Sequence, residues 1–404
     1  MKLPPLPGTR RLPPIPAALQ AAARRSIALA ADWAVRNQIT DSWPAWNANK
    51  GRLPYHAYID PARRARHPQM WSTCWKTARA AQGLYCAHRI TGRAEHLQAA
   101  ERALDYVATL QIFDPECPDF RGSFREDSPQ GPHIASRDGV EAVQGFIAGH
   151  LASGGTRHLL RASEGADFLL RAEKKGWWPF GVAWPHQERV KPQDAFCFAV
   201  GALIFAQLHA LTGRSAYRAR ALAWTDDALA KHVRADGAVG AEQLSGDPIH
   251  GVSQGPYAGV YVNDDGVGVT LLSAYAIGRQ RRHLDAAVRW ADWWLRVAGP
   301  PPKLAAHPAA LLFLSDVYRL TGDARYLAKI EELAQATLAL QCRARDPLLH
   351  GAFIGEDMAQ VYDKRSKPED YVDLRITSYA LIALAKLAAR TPAQWGCAYS
   401  CYGW

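Results

Sequence analysis

Two loops far apart in the chain end in the same acid pair. FRGSFRED closes on Glu126 and Asp127, and LHGAFIGED closes on Glu356 and Asp357. A third pair, Asp264 and Asp265, stands in VNDDG. Carboxyl groups on separate loops are what cleavage of a glycosidic bond requires. One is protonated to release the leaving group, and one is ionised across the bond. These six residues are the candidate catalytic groups. The leading pair takes one member from Glu356 and Asp357 and one from Asp264 and Asp265. Close carboxylates raise one another's proton affinity, which would prepare one of them as an acid.

Aromatic residues crowd the same connections. Trp43 and Trp46 stand in DSWPAW, Tyr55 and Tyr58 in PYHAY, and Trp177, Trp178 and Trp184 in GWWPFGVAW. Flat rings with a polar edge suit the C–H face of a sugar. Trp46, Trp177, Trp178 and Trp184 are therefore candidate platforms. Trp71 and Trp75, at helical spacing, suit a core instead. The stretch HGVSQGPYAGVYVNDDG adds His250, Tyr257, Tyr261 and Asn263. With Arg121 or Arg125 it could serve a different reaction on a uronate. An Asn, His or Arg would neutralise the carboxylate, and a Tyr or His would take the C5 proton. His133 and His186 are further loop histidines. No Cys-x-x-Cys, His-x-x-x-His or Glu-x-x-His spacing occurs, so neither a metal site nor a cofactor is expected.

Charge and composition narrow the partners. The net charge is +10, which suits an acidic sugar as well as a neutral one. The arginines are spread along helices rather than gathered into a block, so nucleic acid is not an expected partner. No segment reaches the length of a membrane span, and the opening MKLPPLPGTRRLPPIP is expected to be a stiff extended arm rather than a signal peptide. A cytoplasmic location and no membrane insertion are expected. Seven cysteines are scattered, two of them in the C-terminal CAYSCYGW, where docking of a tail is expected.

These loops must be held by something regular. TGRAEHL, SGGTRHLL, TGRSAYRA, GRQRRHL and TGDARYLA each join two stretches of helical apolar spacing. Gly92, Gly154, Gly213, Gly278 and Gly322 suit left-handed C-caps there. The unit is helix, short glycine turn, helix, long loop. It predicts helices near 17–39, 77–90, 94–111, 139–152, 156–173, 195–211, 215–233, 267–278, 282–298, 307–320, 324–341 and 374–389. The first and last have no partner in sequence and would pair in space. The expected fold is all-α, an (α/α)6 toroid of six helical hairpins over 17–390. Residues 1–16 form an arm and 391–404 a tail. The short turns would share one face and the long loops the other, so the acids and aromatics would rim one mouth. Asp138, Asp194, Asp265 and Asp373 precede helices and suit N-caps around it.

The hairpins, the LTGR-type turns and the twin LQ…G-x-F loops resemble the six-hairpin glycosidase superfamily across 17–390. The resemblance is architectural. It implies an active site at the mouth and a carbohydrate substrate. The same toroid also hosts polysaccharide lyases, sugar epimerases and terpenoid cyclases. The Asp-x-Asp-Asp motif of those cyclases is absent here, and Phe stands where their Gln…Trp repeats have Trp. The first expectation is thus a glycoside hydrolase acting on an oligosaccharide. A uronate lyase or epimerase is second, and a non-catalytic glycan-binding or scaffold toroid third.

Overall fold

The computed structural model describes residues 14–40, 50–53, 56–60, 62, 73–116, 118–129, 131, 133–174, 181–183, 188–189, 195–240, 255–261, 266–355 and 364–390. Twelve helices are described: α1 (Ala17–Asn37), α2 (Thr73–Thr91), α3 (Ala94–Leu110), α4 (Ser136–Ser153), α5 (Thr156–Lys174), α6 (Ala195–Thr212), α7 (Ser215–His232), α8 (Gly266–Gly278), α9 (Arg281–Arg296), α10 (Ala306–Thr321), α11 (Ala324–Ala339) and α12 (Leu374–Ala388). They lie within about a turn of the expected positions.

The even-numbered helices form an inner ring. Helix α2 packs on α4, α4 on α6, α6 on α8, α10 on α12, and α12 back on α2. Helix α8 meets α10 where Gly268 faces the Phe313 ring, leaving no room for a Cβ. Helices α2, α10 and α12 are buried on nearly every face, whereas α3, α9 and α11 each bury one stripe. The odd helices are the outer ring. Helix α1 packs on α12, so the two ends of the repeat close the toroid as expected.

The turn motif has a physical reason in this ring. The third residue of five outer helices reaches a carboxylate on the preceding outer helix. His96 bonds Asp32, His158 bonds Glu101, Tyr217 bonds Asp167, His283 bonds Asp226 and Tyr326 bonds Asp292, at 2.6–3.1 Å. An arginine beside each, Arg93, Arg157, Arg214, Arg282 or Arg325, pairs with the same carboxylate. The result is a girdle of hydrogen bonds around the short-turn face. Gly92, Gly154, Gly213 and Gly322 are left-handed as expected. The fifth turn differs. Gly278 ends the helix, and Arg279 takes the left-handed conformation with φ 58°.

The twin loops also have a structural cause. Gln111, after α3, donates to Gly122 O and to Arg161 O on α5. Gln341, after α11, donates to Gly351 O and to Ser26 O on α1. Each glycine is left-handed and lies against a carbonyl of the next outer helix, Glu164 or Leu29. The repeated Gln…Gly-x-Phe thus fastens a loop to its neighbour before the acid pair begins. Gly351→Ala should destabilise the fold by about 2 kcal/mol or more, because φ 101° and the Leu29 carbonyl both oppose a Cβ. Urea unfolding of the purified variant measures it.

The long loops are less bare than expected. They carry two small antiparallel sheets. One joins β1 (His56–Tyr58), β6 (Tyr371–Asp373) and β5 (Phe353–Ile354) in the order β1-β6-β5. The other joins β2 (His133–Ala135), β3 (Gly181–Ala183) and β4 (Glu188–Arg189) in chain order. Loop is thereby tied to loop around the mouth.

Candidate active site

The N-terminal ends of α2, α4 and α12 meet at the long-loop end of the inner ring, and they bring buried charge with them. Asp373 caps α12, accepting the backbone N–H groups of Arg375 and Ile376. Its other oxygen lies 3.3 Å from Lys76 Nζ on α2, with both side chains 1% exposed. One turn further along α2, Arg79 pairs with Glu141 of α4 and lies 4.9 Å over the Tyr379 ring of α12. Arg375 sits 6.0 Å from the Trp75 ring, and Lys76 sits 5.1 Å from it. Asp138 is buried in the first turn of α4. It lies two residues inside the helix, not at the N-cap position expected of it.

The first of the twin loops is fastened onto this cluster. Thr73 donates its hydroxyl to Asp127 O at 2.6 Å, and Tyr106 donates to the same oxygen at 3.0 Å. Cys74 N–H donates to Glu126 O at 2.9 Å. Glu126 N–H donates to His133 O, so strand pairing sets the imidazole beside the acid pair. Burial pushes the Cys74 thiol well above its ordinary pKa, and the charges of Asp138, Glu126, Asp127 and Glu141 push it further. Four carboxylates therefore act electrostatically on the start of α2. Burial also pushes the Tyr106 hydroxyl up to about 12, so it stays a neutral donor.

Glu126, Asp127 and His133 each bring one ligand atom to within 4.8 Å of the others. That spacing would also admit a divalent cation. Short sequence spacings could not disclose it, because the histidine arrives by strand pairing.

Other expected residues are elsewhere. Arg121 is on the outer wall, half exposed, paired with Glu164 and stacked on Phe113. Arg125 is half buried, and desolvation draws its guanidinium below the ordinary value. Tyr257 donates to Gly299 O and packs edge-on against Trp293 of α9, and burial pushes its hydroxyl up to about 12. That setting commits its hydroxyl to the Gly299 carbonyl. Tyr261 is buried, and its backbone N–H bonds Val239 O. Glu356, Asp357, Asp264, Asp265, Trp46, Trp177, Trp178, Trp184, His250 and Asn263 lie outside the described residues, as do Asp194 and His186. The sequence reading missed Lys76, Arg79, Glu141, Arg375 and Tyr379. Their signal was polar residues recurring at three- and four-residue steps within inner helices.

A groove of about 780 Å³ on the outer surface, between α9 and α11, is a poorer candidate. Its Lys329 is held by Val297 O, Gly299 O and Glu332, and its Arg325 by Asp323.

No protein-family model matches the sequence, and no curated protein matches it either. Solved structures do match. A cellobiose 2-epimerase from Bacillus thermoamylovorans aligns with TM-score 0.67 at 10% identity, covering 90% of this chain and 98% of that one. An α-1,6-mannanase from Salegentibacter aligns with TM-score 0.60 at 9% identity over 91% and 98%. The chain is a six-hairpin (α/α)6 toroid. An unsaturated glucuronyl hydrolase from Bacillus sp. GL1 aligns in the same way, with TM-score 0.59 at 16% identity over 90% and 96%. At these identities the likeness is one of fold, and a toroid of this kind houses several chemistries. Among the described residues no helix is long and apolar enough to cross a membrane.

Proposed function

We propose that the mouth of the toroid is the active site of a carbohydrate-active enzyme, a glycoside hydrolase acting on an oligosaccharide. The observation that carries this reading is that Glu126 and Asp127 are bonded through their carbonyls to Cys74 and Thr73 at the start of α2, with the Asp138 carbonyl 3.8 Å from Cys74 Sγ and Glu141 paired with Arg79 one turn on. Glu141 is committed to Arg79, so its part is electrostatic. Asp138 is buried and suits a proton donor to the leaving oxygen, while the half-buried Asp127 and Glu126 suit activation of water. Lys76, Arg79 and Arg375 keep so much negative charge tolerable in one place. Glu356, Asp357, Asp264 and Asp265 stay in the proposal on sequence grounds, as acids of the facing loops. Trp46, Trp177, Trp178 and Trp184 stay as sugar platforms. A similar fold serves a mannanase and a glucuronyl hydrolase, which supports a glycan substrate.

Epimerisation is the second reading. His133 beside Glu126 favours it, since an imidazole held by strand pairing can move a proton on carbon. Incubating the protein with neutral and uronate-containing oligosaccharides, with products read by mass spectrometry, separates the two. Fragments heavier by one water support hydrolysis. Unchanged mass with deuterium uptake from solvent replaces it with epimerisation, and cleavage without water replaces it with elimination. No reaction and no binding with any sugar would remove the carbohydrate reading.

A further inference from the structure

Three stripes run from the mouth down the wall of the inner ring. On α2 they are Trp75, Arg79, Gln82 and Cys86; on α12, Arg375, Tyr379, Ile382 and Lys386; on α4, Asp138, Glu141 and Gln144. Steps of three and four keep each set on one helix face. The stripes meet level by level. Arg375 faces Trp75, and Arg79 meets Glu141 and Tyr379. Gln82 and Gln144 come one turn beyond the Arg79–Glu141 pair.

Both glutamines are 1% exposed. Neither amide atom of Gln144 has a hydrogen-bond partner among the described residues, and Gln82 Nε2 has none either. A buried amide without a partner costs free energy that a leucine of similar size would not. Folds keep such groups where function uses them. The two amides, each one turn beyond a member of the Arg79–Glu141 pair, offer donors and an acceptor, and a hydroxyl is an uncharged group that both gives and takes hydrogen bonds.

We propose that Gln82 and Gln144 grip a hydroxyl of the bound sugar, one turn beyond the Arg79–Glu141 pair. The inference rests on the carbohydrate reading and adds a specificity subsite to it. An ordered water carries the same chemistry and is the other source of such a hydroxyl.

The test uses the full chain and two variants, Gln144→Leu and Gln82→Met. Thermal unfolding is measured alone, and calorimetric binding is measured with an oligosaccharide that the wild type binds, and with its monodeoxy analogues. The expected result is a Tm equal to or above wild type and binding weaker by about tenfold. One deoxy analogue should then bind wild type and variant alike. A lower Tm with unchanged affinity means the amides hold a structural water, and the proposal falls. Equal affinity for every sugar also overturns it, while leaving the carbohydrate reading intact. If a variant loses both Tm and affinity, the wild type decides: a loss of about tenfold at one deoxy position supports the grip, and no loss at any position ends it. A wild type that binds no sugar sinks both readings.

Discussion

Asp138→Asn should lower turnover by roughly two to four orders of magnitude and leave the unfolding temperature nearly unchanged. The side chain is buried in the first turn of α4, next to the start of α2. Asparagine keeps its shape and removes its proton. Asp127→Asn should act similarly. The loop there is held through the Asp127 carbonyl by Thr73 and Tyr106. Glu141→Gln is the contrasting variant. Its partner Arg79 is fully buried, so losing the carboxylate strands a cation and should cost about 3–5 kcal/mol of stability. Activity and unfolding measured on all three variants separate chemistry from scaffold. Full turnover in both aspartate variants would remove the acid cluster of α2 and α4 from the mechanism. The weight would then pass to the facing loops, with Glu356, Asp357, Asp264 and Asp265.

The frame of this toroid was legible because it repeats and because its signals are local. A glycine turn, an apolar stripe and a His or Tyr at the third helical position are each written within about ten residues. The girdle that uses them was not legible, since it joins His283 to Asp226 and Tyr217 to Asp167 across whole hairpins. The twin loops were visible as a likeness, but their cause was not. Gln341 and Gly351 matter because α1, at the other end of the chain, supplies Ser26 and Leu29. The acid pair Glu126 and Asp127 was read from residue type alone, and it does stand by the inner helices. Asp138 was read as a cap because it precedes an apolar run, yet α4 begins two residues before it. The charged stripes of α2 and α12 escaped for a different reason. An inner helix is buried all round, so apolar periodicity does not mark which face looks inward, and Lys76, Arg79 and Lys386 resemble ordinary helical charges.

Asp316→Asn should be among the most damaging single changes away from the mouth, and its cost should depend on pH. Asp316 of α10 pairs with Lys386 of α12 toward the closed end of the ring, and both are almost fully buried. Arg319 adds a second cation, donating to the Lys386 carbonyl. Without the carboxylate the buried Lys386 ion pair is broken, and breaking such a pair costs about 3–5 kcal/mol. Burial draws the Lys386 pKa down to about 8, against the pull of Asp316. The unfolded chain holds that lysine proton up to about 10.4. Between those values the unfolded state binds more protons, so the Lys386 contribution makes wild-type stability rise with pH over that window. Below about pH 8 the folded lysine is charged and needs Asp316 most. Above it the lysine is neutral and the attraction is gone. The destabilisation by Asp316→Asn should therefore be largest near pH 7 and shrink by pH 9.5. Urea unfolding of wild type and variant at the two pH values measures the difference. An equal cost at both would mean that Lys386 keeps its proton, and that Asp316 acts by packing or through Arg319 alone.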